Sequence, residues 1–302
     1  MSSMRISPFS GGVSARGATV PGRELGELAA PSPAAPTDAN FGYEGGPVIV
    51  SPRVYASFWG PLWSDEAHRG EREALVQFLQ DFLASSYMNI LSQYGVGKGA
   101  GQCGTWEGVS ELPAVNGSMT DSDIHNAIQS LINAGSLPEP GTPSEVALMI
   151  FLDERIEIRD SQLGVVMCEP NGDNAFGYHN HFTTAAGNPF YYSVVPALDQ
   201  KCLEESCPEG GCSLSQSLTQ LQRRTQVASH EFSEMVTDPE INAWRDRNSG
   251  EENGDVCNGR STTINVSGRE WTVQQMYSHA TDLKGEPACI AGAPAPIPPL
   301  PT

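Results

Sequence analysis

Positive charge is scarce in this chain. Its 302 residues include 17 Lys and Arg against 36 Asp and Glu, which gives a formal net charge of −19 at pH 7. A protein that binds nucleic acid displaces counterions from the phosphate backbone with clustered basic residues, and the longest basic run here is the pair Arg223-Arg224. The same shortage disfavours binding to an anionic membrane surface. We therefore expect neither nucleic acid nor a membrane as a partner.

Long apolar runs and a secretory signal are also missing. A membrane-spanning helix needs about 20 consecutive apolar residues, whereas the longest apolar candidates, such as Val146–Leu152, are only as long as a strand. Residues 1–45 carry three Arg but lack the apolar core of about 7–15 residues that directs secretion. That absence favours the cytoplasm, whereas the seven cysteines favour an oxidising compartment. Both compartments stay open on these features.

Two further catalytic or metal-binding signatures are absent. The seven cysteines include no C-x-x-C pair, which argues against a zinc site made of thiolates. Their odd number allows at most three intrachain disulfides, whose pairing the sequence does not give. The chain also lacks the G-x-S-x-G elbow that presents the nucleophile of many serine hydrolases.

Composition divides the chain into three parts. Residues 1–45 are rich in Gly, Ser, Ala and Pro without helical or strand periodicity, which predicts a disordered leader. Residues 291–302 contain five prolines and are predicted to form an extended, Pro-rich tail. Residues 46–290 remain, and their length suits one domain that carries the chemistry.

Apolar periodicity predicts an α+β fold for this domain. We expect a mixed sheet with an exposed edge, two helices packed on it, and a third helix that carries the functional site. The predicted helices are 65–83 (capped by Ser64), 121–134 and 214–236. The predicted strands are 47–59 (broken at Pro52), 146–152, 165–168, 176–184, 190–195, 262–266 and 269–276.

The helix predicted over Leu214–Val236 contains an H-E-x-x-E sequence made of His230, Glu231 and Glu234. In the related H-E-x-x-H pattern, ligands at i and i+4 lie on one helical face and bind the same zinc ion, while the intervening Glu takes a proton from the bound water. Since a carboxylate can replace the second imidazole, we predict His230 and Glu234 as zinc ligands and Glu231 as the general base. The alternative for this short motif is a solvated helix face.

A third ligand is needed, and the acidic stretch that follows offers several. Residues 230–255 contain eight acids and two Arg, and repulsion at that density favours a bound cation. Glu252 and Asp255 lie 18 and 21 residues after Glu234, a spacing similar to that of zincins with a carboxylate as third ligand, and we rank them first and second. Glu240 stands where a longer H-E-x-x-H-x-x-G-x-x-H motif places its last ligand. A calcium site or simple surface acidity is the alternative for this stretch.

Histidines on a predicted strand offer another group. His179 and His181 occupy alternate positions, so both side chains project from one face. They could supply a metal ligand or stabilise the oxyanion of a tetrahedral intermediate. Tyr178 and either Tyr191 or Tyr192 are further candidate hydrogen-bond donors. The alternative is a pair of hydrogen-bonded structural histidines.

Together these residues favour a zinc-dependent, metallopeptidase-like hydrolase of zincin-like fold that acts on a peptide or protein through metal-activated water. His179 or a neighbouring Tyr would stabilise the oxyanion, and an edge strand such as Phe190–Val195 would align an extended substrate. The alternative is a non-catalytic extracellular module in which the same acids hold a structural Ca²⁺ or Zn²⁺ and the sheet edge binds a partner or cell-wall polymer. One imidazole among carboxylates favours a transition metal over Ca²⁺.

The order of segments resembles the phosphate-induced, EXORDIUM-like protein family of plants and its bacterial and fungal relatives. The resemblance covers about residues 46–290, and the stretch 227–257 is its most specific part. The matching segments are GPVIVSPRVYASFWG, GYHNHF, YYSVVP, the cysteine cluster 202–212, VASHEFSEMVTDPEINAW, ENGDVC and WTVQQMYSHA.

This resemblance implies an extracellular protein with a zincin-like helix. The family's H-E-x-x-E positions correspond to His230, Glu231 and Glu234. Its E-x-G-D-x-C positions correspond to Glu252, Asp255 and Cys257. Plant members are growth-related cell-wall proteins without an assigned reaction, so the resemblance implies no particular chemistry. The chain departs from the family in an extra acid at Glu251, in His279 where relatives tend to have Asn, and in the missing secretory signal.

Overall fold

A computed structural model of the protein describes residues 7–10, 40–97, 104–112, 114–160, 165–168, 174–206 and 217–300. The helices, α1 to α6 in chain order, are Glu66–Leu83, Met88–Leu91, Asp121–Asn133, Gln200–Ser206, Gln220–Thr237 and His279–Asp282. The strands, β1 to β15 in chain order, are Ser7–Ser10, Phe41–Tyr43, Arg53–Trp59, Thr105–Leu112, Gly117–Met119, Val146–Leu152, Ile156–Asp160, Val165–Met167, Asn174–Thr183, Pro189–Val195, Trp244–Asp246, Ser261–Val266, Arg269–Gln274, Met276–Tyr277 and Cys289–Ile290.

A mixed sheet of nine strands forms the centre of the part of the chain that the structure describes. Its order is β4-β3-β6-β10-β9-β8-β7-β5, with β1 paired to β9 in addition. The neighbours β4, β3, β6 and β10 are parallel, whereas β9 runs antiparallel to β10. All seven residues of β6 are buried, which is typical of a parallel strand covered on both faces. This mixture of helices with parallel and antiparallel strands is consistent with the predicted α+β class.

Helices cover both faces of the sheet. On one face, α1 and α5 pack together through contacts such as that between the rings of Phe82 and Phe232. On the other face, α3 buries Ile124 and Ile128 against the sheet. Each such side chain contributes about 1.5–3 kcal/mol when fully buried. The predicted capping box of α3 is present, whereas α1 begins after Asp65 without a side-chain cap and not with the predicted Ser64 cap.

The helix α5 starts later than the predicted Leu214. Thr219 and Gln222 form a capping box in which each side chain bonds the other residue's backbone N–H, and this fixes the start of the helix at Gln220. Residues 217–219 are therefore not helical, and 214–216 lie outside the described residues.

The alternative interpretation of the motif as a solvated helix face is wrong, because every residue of α5 from Arg223 to Thr237 is buried. The sheet covers one side of the helix and the hairpin of β12 and β13 covers the other. Thr225 Oγ1 donates a hydrogen bond to the Thr272 carbonyl (2.7 Å), and Ser229 Oγ accepts one from the Gln274 N–H (3.0 Å).

The predicted substrate edge at Phe190–Val195 is also wrong. The strand β10 is internal, because it pairs with β6 on one side and β9 on the other. The outer strand at this position is β1: His179 pairs with Ser193 in β10 and with Ser7 in β1, and one residue can pair with two strands only on its opposite sides. The short N-terminal strand thus covers the outer edge of β9.

Both predicted terminal segments contain ordered contacts. Two strands, β1 and β2, lie within the predicted leader 1–45, and the domain includes Phe41, which is 4% exposed and belongs to β2 paired with β11. The rest of the leader, 1–6 and 11–39, lies outside the described residues. In the Pro-rich tail, three backbone N–H groups donate to carbonyls of the segment 86–93 at 2.8–3.0 Å, so the tail up to residue 300 packs on the domain.

Two disulfides join Cys168 to Cys202 and Cys257 to Cys289. They are compatible with an extracellular protein. The other cysteines, Cys103, Cys207 and Cys212, lie outside the described residues. None of the described helices combines the length and the apolarity that crossing a membrane requires.

Candidate metal centre

Three separate parts of the chain meet between β9 and α5. The helix α5 contributes the predicted motif residues, β9 contributes His179, and the loop after β11 contributes Glu252 and Asp255. Asp255 keeps 19% of its side chain exposed. The fully buried members are His179, His230, Glu231, Glu234 and Glu252, each 0% exposed. The fold therefore brings together all six predicted site residues.

One group of potential ligands consists of His230, Glu234 and Asp255. His230 Nε2 lies 3.1 Å from Glu234 Oε2 and 3.8 Å from Asp255 Oδ1. Two ligands of a tetrahedral ion with bonds of about 2.1 Å lie about 3.4 Å apart, so these separations suit a common ion. The Asp255 backbone N–H donates to Glu234 Oε1 (3.0 Å), which fixes the loop against the helix.

A second group consists of His179, Glu234 and Glu252. His179 Nδ1 lies 3.7 Å from Glu234 Oε2, and His179 Nε2 lies 3.5 Å from Glu252 Oε1. In each group, one ligand atom from every residue lies within 4.8 Å of the others. These buried groups could hold a metal ion. Glu252, ranked first as the third ligand, stands with His179, whereas Asp255 stands with the helical pair.

Two glycines allow this close assembly. A Cβ atom added at Gly254 would lie 2.6 Å from Glu234 Oε1 and 2.8 Å from His230 Nδ1. A Cβ atom added at Gly177 in β9 would lie 2.7 Å from Glu231 Oε1. Since real contacts of this kind are essentially never shorter than about 3 Å, any larger residue would displace the carboxylates or the imidazole.

Burial sets the protonation of the centre. It lowers the pKa of His179 to about 3 and that of His230 to about 4, so both imidazoles are neutral at pH 7, which is the form that binds a metal ion. Burial, followed by the nearby Asp255 charge, raises the pKa of Glu234 well above its usual range. A cation in contact with these atoms would reverse that effect and stabilise the carboxylate.

Surrounding groups orient both histidines. His179 Nε2 lies 3.3 Å from the Asp238 carbonyl oxygen, which can only accept, so Nε2 carries the hydrogen. Nδ1 faces the carboxylates of Glu231 and Glu234, and the Glu252 carboxylate lies closer to Nε2. His230 Nδ1 lies 2.7 Å from the side-chain nitrogen of Gln274, which also donates to the Gly254 carbonyl (2.8 Å). The His179 contact, a ring N–H that donates to a carbonyl, is typical of metal-binding histidines, whereas the Gln274 amide group holds the His230 ring in place.

Several other predicted residues lie elsewhere. Glu240 belongs to neither group and accepts a hydrogen bond from Tyr191 Oη (3.1 Å). Tyr178 and Tyr192 point to the opposite face of the sheet, where both donate to Asp121, so they cannot stabilise an oxyanion at this centre. His181 follows His179 on β9 but belongs to neither ligand group.

Gln274 and Gly177 were not foreseen from the sequence. The signal for Gly177 is a glycine inside a strand, which often marks a close backbone approach. Gln274 has no comparable signal, because its role depends on the packing of the hairpin against α5.

Comparison of the chain with protein-family models, curated proteins and solved structures yields no match. The chemistry of the centre is therefore the basis for assigning a function.

Proposed function

We propose that the protein is a zinc-dependent hydrolase that cleaves peptide or amide bonds of a peptide or protein substrate with a zincin-like helix. The observation that carries this proposal is the His230–Glu234 pair, one helical turn apart, which Asp255 joins from a later loop. The resemblance to EXORDIUM-like proteins supports the zincin-like helix and an extracellular location.

The donor atoms suit a transition-metal ion. Glu234 Oε2 is buried, faces two imidazole nitrogens and accepts no hydrogen bond from the described residues. A buried oxygen of this kind is costly unless it is compensated. Mixed nitrogen and carboxylate ligation favours Zn²⁺, whereas Ca²⁺ prefers oxygen ligands throughout.

The residues then take distinct roles. A zinc ion held by His230, Glu234 and Asp255 would supply Lewis-acid chemistry, which lowers the pKa of a bound water and polarises a carbonyl. Glu231 accepts the water's proton and delivers it to the leaving amine. Its Oε2 lies 3.7 Å from His179 Nδ1, the nitrogen that faces the centre without a hydrogen. His179 therefore fits the role of a ligand better than that of an oxyanion donor.

The second candidate function is a non-catalytic module in which a metal ion, Ca²⁺ or Zn²⁺, only stabilises the domain. The complete burial of His230, Glu231 and Glu234 favours this alternative, because structural metal sites are closed whereas catalytic sites keep an open position. Among the ligand residues that the structure describes, Asp255 is the one whose side chain stays partly exposed.

Elemental analysis of the purified protein beside a His230→Ala variant tests the metal. Zinc that is present in the wild type and lost from the variant supports the proposal. Calcium in the wild type contradicts the proposal and favours the non-catalytic module. Absence of metal from both proteins contradicts the proposal and indicates that the residues form no metal site.

Turnover separates the two functions. A Glu231→Gln variant, assayed on a mixed peptide library, should retain its zinc and lose about 10²–10⁴-fold in rate. Glu240→Gln is the matched control, because Glu240 follows Glu234 by six residues in the chain but belongs to neither ligand group, and the variant should retain its rate. Loss of zinc from Glu231→Gln would identify Glu231 as a ligand, and absence of turnover in the zinc-loaded wild type would favour the structural role.

A further inference from the structure

The two ligand groups around Glu234 have only that residue in common. His230 and Asp255 form one group with Glu234, and His179 and Glu252 form the other. Glu234 Oε2 faces both imidazoles, at 3.1 Å from His230 Nε2 and 3.7 Å from His179 Nδ1. A single tetrahedral ion has four positions, whereas the two groups supply five residues.

We propose that this centre binds two divalent transition-metal ions with Glu234 as their shared ligand. One ion takes His230 and Asp255, and the other takes His179 and Glu252. Each ion would then have one imidazole ligand, one carboxylate ligand of its own and the shared carboxylate of Glu234. Two-metal hydrolytic sites hold their ions about 3.5–4 Å apart, a distance that one carboxylate spans. This inference rests on the metal centre of the proposed function but not on the proposed reaction.

Four carboxylates converge here, namely those of Glu231, Glu234, Glu252 and Asp255. Three of the four side chains are fully buried. Carboxylates that meet at this depth favour bound cations.

A second ion would also supply a missing function. The Nε2–H of His179 is directed at the Asp238 carbonyl, so this imidazole has no hydrogen to donate to an oxyanion. A second bound ion would supply a positive charge for the substrate carbonyl oxygen, while Glu231 would keep its role as base.

Metal stoichiometry tests this proposal. Protein stripped with a chelator is dialysed against buffered Zn²⁺, and the bound metal is measured by plasma mass spectrometry. We expect about two ions in the wild type, one in Asp255→Asn and one in Glu252→Gln. Glu240→Gln should keep both ions. One ion in the wild type overturns the inference and leaves the hydrolase proposal intact.

A second measurement on the wild type avoids dependence on variants that fail to fold. Manganese replaces zinc, and electron paramagnetic resonance distinguishes a magnetically coupled Mn²⁺ pair from isolated ions. A coupled spectrum at two equivalents supports the shared Glu234, and a spectrum of isolated ions overturns it. Two bound ions without peptide hydrolysis would keep this inference and contradict the proposed function, and no bound ion would contradict both.

Discussion

The strand β9 separates two buried polar clusters of opposite character. On the α3 face, Asp121 accepts hydrogen bonds from four side chains, all buried or half-buried. Its donors and distances are Tyr192 Oη (2.5 Å), Tyr178 Oη (2.8 Å), Asn180 Nδ2 (3.0 Å) and His125 Nε2 (3.0 Å). His179, which stands between Tyr178 and Asn180 in the chain, points to the α5 face instead. There it meets the carboxylates of the candidate metal centre.

The two clusters differ in the balance of donors and acceptors. Asp121 has one carboxylate and enough donors to satisfy both oxygens, so burial is compensated within the protein. The α5 face instead collects acceptors around Glu234, whose Oε2 receives no hydrogen bond from the described residues. A buried carboxylate surrounded by hydrogen-bond donors is typical of a structural network. A buried cluster of acceptors without enough donors indicates a site for a cation.

The largest expected effect comes from removing the shared ligand. Glu234→Gln should abolish metal binding, with a loss of affinity above about 100-fold, because it removes the one carboxylate common to both ligand groups. Dialysis and plasma mass spectrometry measure this. Asp121→Asn should retain the metal, and equal loss of metal from both variants would show that the two faces do not differ as described.

The order of the two variants should reverse when the stability of the metal-free protein is measured. Asp121→Asn should lower the free energy of unfolding of the metal-free protein by about 3 kcal/mol, because charged hydrogen bonds contribute about 1.5–3 kcal/mol each and a buried partner left unsatisfied adds to the loss. Urea denaturation measures it. Glu234→Gln should leave metal-free stability unchanged or higher, since it replaces a buried acid with a neutral amide.

The difference in unfolding free energy between the wild type and Asp121→Asn should depend on pH. Burial alone would raise the pKa of Asp121, but hydrogen bonds from His125 and Tyr192 outweigh it and lower that pKa. A depressed folded-state pKa contributes stability above the unfolded value of about 4 and loses it as pH falls through the folded value. The stability gap between wild type and Asp121→Asn should therefore narrow when denaturation is repeated between about pH 5 and pH 3. A gap that widens in acid would contradict the assigned network.

A smaller effect is expected from the contact that orients His230. Gln274→Leu should weaken metal binding by about 10–100-fold, which is typical when a partner of a ligating histidine is lost. Gln93→Leu is the matched control, because Gln93 is also fully buried but bonds Ile90 and Ser278. If both variants lose metal affinity equally, the effect reflects general destabilisation.

The smallest expected effect concerns access along β1. Pro8 already lacks an N–H, so Ser7→Pro together with Phe9→Pro removes the remaining donors of this short strand opposite Gly177 and His179. We expect hydrogen exchange at those two β9 positions and metal extraction by a chelator to become a few-fold faster.

The same two substitutions placed at Ser32 and Ala34, in a stretch that already holds three prolines, serve as the control. That control should behave as the wild type. Unchanged exchange in the β1 variant would show that this strand does not protect the centre.

Local signals in the sequence predict local structure well. The capping box of Thr120 and Asp123 and the apolar run Val146–Leu152 predict α3 and β6 because their determinants lie within a few residues. His230 and Glu234 are predicted as a pair for the same reason, since helical geometry alone puts them one turn apart.

Long-range packing explains what the sequence does not predict. The polar side of α5 looks solvated in the sequence because the hairpin that covers it begins only 24 residues after the helix ends at Thr237. The partnership of Glu252 with His179, and of Asp255 with His230, depends on where a distant loop meets β9 and α5. The internal position of β10 likewise depends on β9 and β6 pairing with it.

The disulfide between Cys257 and Cys289 also sets when the loop that carries Glu252 and Asp255 can be tied covalently to the rest of the domain. The chain is synthesised from its N-terminus, so all ligands have left the ribosome before Cys289, which follows Asp255 by 34 residues. Only then can the ligand loop gain its covalent tie, next to the hydrogen bond from the Tyr277 N–H to the Asn253 carbonyl (2.9 Å). The loop that carries Glu252 and Asp255 therefore gains this covalent tie among the last steps of folding, and only where thiols are oxidised.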